Sequence, residues 1–435
     1  MAVKILATGD IHLGKRSSDV PQDARKIATQ HTWNRMVDYA IDTGIDAILL
    51  SGDIVDQDNK FFEANKALET GCTKLNENNI PVCMVAGNHD HDVLPEVIKT
   101  KNFNNIHLLG ANDKWELKTL NTKNGNIQIA GWSFPSTYVH YNPLTRSRFT
   151  MENINPDIPA IGLLHADYGM TSSIYAPVQE QDFFNKNIDM WILGHIHKPG
   201  LLSDTQGKIL YAGSPHALSS KEPGKHGPLL LTILSKNNIT HEWMDFSPVR
   251  YEKLSIDTGT PESVNNIRSI IVTELRKNAA NIQKTSPNLR YLVYDIEITG
   301  NFREHTLIRS LQQEITNEAI IEDSNLTTSV RKLHNKLKPA GANLKDLAKQ
   351  SSPAGILADT ILKLENNETS PFIKDLMEKW KKKQKEVISS KTYSTLFHDY
   401  DTDNTDIDNE ARKYILEICN HTLDALLLQT KNSQS

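Results

Sequence analysis

The chain has 435 residues, 38% hydrophobic and 23% charged, with a formal net charge of −5. That length predicts two or three domains, and the acidic balance excludes a generally basic nucleic-acid coat. Cys72, Cys83 and Cys419 have no paired spacing, which excludes a disulfide framework and a zinc knuckle. No apolar run approaches the ~20 residues that span a bilayer. The opening Met-Ala-Val-Lys-Ile-Leu-Ala is too short for a signal core, so the cytoplasm is the expected compartment.

In chain order, apolar runs and polar motifs alternate. Val3 to Ala7 reads as a buried strand leading to Gly9-Asp10-Ile11-His12. Trp33, Met36, Val37, Ala40 and Ile41 then recur at helical spacing. Ala47 to Leu50 leads to Gly52-Asp53-Ile54-Val55-Asp56, and a helical pattern over Phe61 to Leu75 precedes Val82 to Ala86 and Gly87-Asn88-His89-Asp90. Ile106 to Leu109, Trp115 to Leu120 and Ile127 to Trp132 predict shorter strands between Asn/Gly turns. Ser133 to Pro159, with several prolines, Arg146 and Arg148, reads as a long surface loop.

Strands are next predicted at Ile161 to Leu164, Met190 to Leu193, Ile209 to Ala212 and Leu229 to Leu234. They enclose Leu164-His165-Ala166 and Gly194-His195-Ile196-His197. This is the order of an αβ–βα sandwich, an α/β fold over 1–248. A small α/β unit is expected over 249–330: strands at Tyr251 to Ile256 and Tyr291 to Thr299, helices at Pro261 to Lys277 and Arg303 to Thr316. From about Lys332 to 435 the chain reads as helical and polar, with Pro353 as a break and a basic cluster at Lys381 to Lys383. Asp399, Asp401, Asp403 and Glu410 fall at calcium-loop spacing, but Asn404 replaces the turn glycine, so an acidic linker is the better reading.

The five motifs carry the chemistry. Four follow apolar strands directly, which sets their polar side chains at the carboxyl edge of a sheet. Carboxylate, amide oxygen and imidazole together suit manganese, iron or zinc. Such a cluster supplies the positive charge that phosphate needs and that the net charge does not. Asp10 and His12, and likewise His195 and His197, lie two apart, so an extended strand end aims each pair to one side. A two-metal centre needs a bridging carboxylate, and Asp53 stands centrally among the ligand-bearing segments.

The constellation resembles the calcineurin-like metallophosphoesterase superfamily. By that resemblance Asp10, His12, Asp53 and His197 would hold one divalent metal, and Asp53, Asn88, His165 and His195 the second. His89 would be the acid at the leaving oxygen, with Asp90 orienting its ring. Gly9-Asp10-Ile11-His12-Leu13-Gly14, Asn105 to Gly110, Tyr175-Ala176-Pro177 and Tyr211 to Pro215 narrow the likeness to SbcD-type DNA repair nucleases. Glu222 to Gly227 is similar to their YhaO branch. The resemblance implies a manganese-dependent DNA exonuclease and endonuclease, with a four-layer sandwich core and a small capping domain. It further implies C-terminal helices that dock an SMC-like, SbcC-type ATPase. Members commonly dimerise through core helices, here around Glu63 to Leu75 or Val93 to Thr100. Asp56 stands where many members carry a His that places DNA for exonuclease action.

Arg146 and Arg148 are candidate DNA contacts and His216 a candidate supporting group, while Trp132 and Trp191 read as core. Two other functions use the same residues: a phosphodiesterase or phosphatase for nucleotides or phosphoproteins, and a silent scaffold between DNA and an ATPase. The length beyond residue 250 favours the nuclease over the first. The full set of ligands favours it over the second.

Overall fold

Strand β1 (Val3–Thr8) shows how the core is built. Val3, Ile5 and Ala7 face one apolar cluster and Leu6 faces another. A strand apolar on both sides must be covered on both. The computed structural model describes residues 2–20, 28–56, 62–101, 103–146, 154–205, 207–236, 238–302, 308–317, 319–323, 326–338, 344–388 and 404–432.

After β1 come α1 (Thr29–Thr43), β2 (Ala47–Leu50), α2 (Phe62–Glu77), β3 (Val82–Met84), α3 (Leu94–Lys101) and β4 (Ile106–Leu108). The four strands pair in parallel, so each connection is a crossover that carries a helix or long segment over the sheet. Trp33, Val37 and Ala40 of α1, with Leu68 and Cys72 of α2, cover the face made by Leu6, Ile48, Leu50, Val82 and Met84.

The second sheet is made by β5 (Glu116–Thr122), β6 (Gly125–Trp132), β7 (Ala160–His165), β10 (Met190–Gly194), β11 (Gly200–Ser203) and β12 (Lys208–Tyr211). Between them lie the short α4 (Pro143–Arg146) and a two-stranded pair, β8 (Asp167–Tyr168) with β9 (Pro177–Val178). The chain then returns to the first sheet with β13 (Leu229–Ser235) and β14 (Asn238–Trp243). The sheet orders are β14-β13-β1-β2-β3-β4 and β11-β12-β10-β7-β6-β5. Ile5, Leu49 and Cys83 of the first meet Ile129, Leu163, Ile192 and Leu210 of the second in one buried cluster.

The outer face of the second sheet buries Trp132, Leu164 and Trp191 against Phe134, Val139, Leu144 and Phe183. The segment expected as a surface loop from Ser133 is therefore core in part. Its apolar residues are spaced irregularly because they fill gaps over a sheet, without helical or strand periodicity. Both tryptophans are core, as their apolar neighbours implied.

Further along are β15 (Val249–Asp257), α5 (Val264–Thr285), β16 (Tyr291–Asn301), α6 (Ile308–Asn317), β17 (Ala319–Asp323) and β18 (Leu326–Lys338), with sheet order β15-β16-β18-β17. The expectation of helix from Lys332 is corrected here, since β18 runs through to Lys338. The break expected at Pro353 is present, and Pro353 is the first residue of the helix that follows it. After α7 (Leu344–Leu347), α8 (Pro353–Glu365) is capped by Ser352, whose Oγ accepts from the Gly355 amide at 3.1 Å. With α9 (Pro371–Ile388) and α10 (Asn404–Asn432) it buries Ile361, Ile373, Ala411 and Leu423. The lysine cluster lies on α9, where Lys381 pairs with Glu378 and Asp408, and Lys383 with Glu386. Asp399, Asp401 and Asp403 lie outside the described residues.

The chain divides into two compact units. One comprises Met1–Lys253, Arg276–Asp295 and Ala319–Arg331, and the other Leu254–Leu275, Ile296–Glu318 and Lys332–Ser435. The stretch expected as a cap, 249–330, contributes to both. Among the described residues no helix is long and apolar enough to cross a membrane.

Candidate metal centre

The parallel strands β1, β2, β3, β7 and β10 deliver their carboxyl ends to one edge, and the residues that follow are strained. Asp10, His12 and Asp53 have φ of 50°, 48° and 51°, and His195 has φ of 100°. Residues with side chains rarely adopt this left-handed region, and clusters of such strain mark functional sites. Packing beside them is close: a Cβ on Gly87 would lie 2.2 Å from Asp53 Oδ1, and one on Gly194 2.1 Å from the Ser51 carbonyl.

One cluster joins Asp10, His12 and His197, whose donor atoms lie within 4.8 Å of one another. His12 Nδ1 is 3.1 Å from Asp56 Oδ1, and His197 Nδ1 is 2.9 Å from Glu222 Oε1. The two Nε2 atoms lie 3.1 Å apart. Burial pulls the His197 imidazole down, but the Glu222 bond and the Asp10 charge outweigh it and raise it to about 9. Asp10 also accepts the His195 amide at 3.1 Å on both carboxylate oxygens.

A second cluster joins Asp10, Asp53 and His165. His165 Nδ1 donates to the Ser51 carbonyl at 3.0 Å, which leaves Nε2 free to face Asn88 Oδ1 at 3.0 Å and Asp53 Oδ2 at 3.4 Å. The His195 ring lies 5.3 Å from that of His165. Burial would raise the Asp53 carboxyl, yet His165, His12 and His89 hold it below the usual range.

His89 stands at the rim, its side chain 26% exposed, with its amide donating to Asp53 Oδ1 at 2.9 Å. Its Nδ1 faces Asp56 Oδ1 at 3.4 Å. Burial lowers this imidazole, but the Asp56 bond and the Asp53 charge leave it raised. Asp56 also takes Lys15 Nζ at 2.8 Å. Asp90, expected to orient His89, has another task. Its Oδ2 accepts from the Ile54 and Val55 amides at 2.6 and 3.2 Å, and its Oδ1 from Gly87 at 2.8 Å. It clamps the Asp53 loop onto the Asn88 loop, and Asp56 faces the His89 ring.

The calcineurin-like phosphoesterase family matches residues 3–199, the span that carries these ligands. This is a calcineurin-like phosphoesterase domain. A metallophosphoesterase of Bacillus subtilis named YhaO, itself uncharacterized, is 27% identical over 261 residues, 59% of this chain. That match spans 62% of the YhaO protein, under two thirds of its length. The DNA double-strand break repair protein Mre11 of Sulfolobus acidocaldarius is 24% identical over 412 residues, 87% of this chain and 98% of that one. Mre11 of Sulfurisphaera tokodaii is 29% identical over 227 residues, 50% of this chain and 55% of that one.

Calcineurin-like phosphoesterases bind two divalent metals, and the residues of this phosphoesterase domain fit such ions. His12 Nε2 and His197 Nε2 stand together beside Asp10, each ring held from behind by a carboxylate, and this nitrogen-and-oxygen donor set suits a divalent cation. The domain also uses groups the motifs did not announce. Glu222 lies 25 residues beyond His197, and its only sequence signal is the Glu222 to Gly227 likeness. Lys15 follows the first motif by three residues. His216 is buried between Ser17 Oγ at 2.9 Å and Thr32 Oγ1 at 2.8 Å and, among the described residues, joins none of the donor clusters. Arg146 ends α4 with its guanidinium 3.9 Å above the Tyr141 ring, and Arg148 lies outside the described residues.

Proposed function

We propose that the protein is a two-metal DNA nuclease that hydrolyses phosphodiester bonds at duplex ends, in single strands, or both. In this reading Asp10, His12, Asp53 and His197 hold one ion, and Asp53, Asn88, His165 and His195 the other, with manganese the first choice. Bound ions supply Lewis-acid polarisation of the phosphate and acidity to water. Asp56 holds His89 by Nδ1, and the ring's Nε2, 3.9 Å from Asp53 Oδ2, would contact phosphate or protonate the leaving oxygen. The likeness to Mre11 carries the DNA assignment, because it extends past the phosphoesterase domain over 87% of this chain. An SMC-like ATPase partner on the C-terminal helices, action in the cytoplasm, and a role in repair or foreign-DNA degradation follow from the same reading.

The test is manganese-dependent cleavage of end-labelled duplex and of circular single-stranded DNA, with His89→Ala alongside. Cleavage that falls by about 10²–10⁴-fold in the variant supports the reading. Hydrolysis of bis-p-nitrophenyl phosphate with neither DNA cut overturns it. A cut circle with an intact duplex assigns endonuclease action alone and fits Asp56 in place of the usual His.

A further inference from the structure

Beside the metal centre runs a line of aromatic rings that no ligand role explains. Tyr175 packs on His195 with ring centroids 4.9 Å apart, and Tyr138 lies 6.0 Å beyond Tyr175. Tyr138 is 53% exposed, and the neighbouring His140, 6.4 Å away, is exposed as well. The tyrosines sit on two segments pinned to each other. Val139 N donates to the Ile174 carbonyl and Ala176 N to the Val139 carbonyl, both at 2.8 Å, while Asp167 N donates to the Tyr175 carbonyl at 2.9 Å. Val139 and Ala176 are buried in the apolar cluster over the second sheet, and Ala176 is held at φ 49°. A buried, hydrogen-bonded neighbour next to each tyrosine fixes where its ring is displayed.

From this we propose that Tyr138, backed by Tyr175, stacks an unpaired nucleobase of the strand whose phosphate enters the metal centre. The proposal rests on the nuclease reading and names its substrate: DNA with a splayed or single-stranded nucleotide beside the cut. Base pairs inside a duplex have their faces covered by neighbours, so only an unpaired base can use such a platform. Aromatic stacking also tolerates every base. The preference is therefore for strandedness, without a preference for sequence. A nucleobase is the occupant because the rings lead directly from a ligand of the phosphate-binding centre, where a nucleotide's own base must lie.

The experiment uses the full chain in EDTA, so that binding is read without cleavage. A single-stranded oligonucleotide carrying 2-aminopurine is compared with one whose bases are replaced by abasic tetrahydrofuran. Stacking predicts quenched 2-aminopurine fluorescence and binding on the order of tenfold tighter than to the abasic strand. Tyr138→Phe keeps both effects. Tyr138→Ala loses the quenching and binds the two strands equally, with an unchanged circular dichroism spectrum. Equal binding of both strands by the unaltered protein, or quenching that survives in Tyr138→Ala, overturns the proposal. Wild-type hydrolysis of bis-p-nitrophenyl phosphate and of DNA is measured in parallel with manganese. Base-dependent binding without DNA cleavage sinks the nuclease reading and leaves the platform standing. Cleavage without base dependence does the reverse.

Discussion

Glu222 and His216 show two ways in which a buried side chain acts without touching substrate. Glu222 orients the His197 ring through Nδ1, and removing such an outer partner typically costs 10- to 100-fold in metal affinity. Glu222→Gln is therefore expected to weaken manganese binding by about that factor, measured by titration against a competing chelator. An unchanged affinity would remove Glu222 from the centre. His216 carries a pH dependence instead. Burial holds its imidazole down to about 3, whereas in an unfolded chain histidine titrates near ~6.5. Between these values the unfolded chain binds a proton that the folded one refuses, so stability falls as pH drops through that window. The slope is about 1.4 kcal/mol per pH unit. In His216→Gln, denaturant midpoints at pH 7 and pH 5 should differ less than in the unaltered chain, and the two curves should run parallel above pH 7. Neither role was legible at the same depth as the ligands. Asp10, Asp53 and His195 declare themselves by following apolar strands, which is a local signal. Glu222 meets His197 only once the fold has closed, and Asp56 and Asp90 sit at equivalent-looking places whose tasks separate only in three dimensions.

At the scale of elements, the strands of the two large sheets were readable because their residues are apolar on both faces and end in a polar motif. Strand β18 was not. Its buried residues include Leu326, Val330, Leu333 and Leu337, spaced by four, three and four, which is the rhythm of a helix face. The strand accepts it because Thr328, polar yet buried, completes an every-second-residue alternation with Leu326 and Val330 that apolar periodicity does not count, and sheet pairing overrides a pattern that periodicity alone assigns to helix. The small strands β8, β9 and β11 carry too few residues for a period to show. Close packing of elements gives a sharper test. Gly162 on β7 lies under Trp191 of β10, and a Cβ there would sit 2.1 Å from the indole. Gly162→Ala should cost about 1–3 kcal/mol by overpacking. Gly200→Ala on β11, where a Cβ meets nothing within 4 Å, should stay within about 0.5 kcal/mol of the parent. Equal melting temperatures for the two variants would show that β7 and β10 are not packed this tightly.

On the scale of the whole molecule, the residues proposed as metal ligands lie in one of two compact units. Asp10, His12, Asp53, Asn88, His165, His195 and His197 all belong to the unit built from the two large sheets. The other unit has its own apolar cluster from α8, α9 and α10. Burial raises the Asp10 carboxyl, as expected where carboxylates are crowded away from water, and a bound cation relieves that cost. An ion that binds only the folded state stabilises it by about 2.7 kcal/mol at a hundredfold excess over its dissociation constant. For a unit of this size that corresponds to roughly 5–10 °C in the midpoint. Calorimetry with manganese and then with excess EDTA should accordingly show one transition moving down by about that amount and a second, from the helical unit, standing still. A single transition that moves as a whole would mean that the two clusters unfold together, and the metal would then govern the stability of the entire chain. No movement at all would mean that the donors around Asp53 do not bind the ion, against the ligand assignment itself.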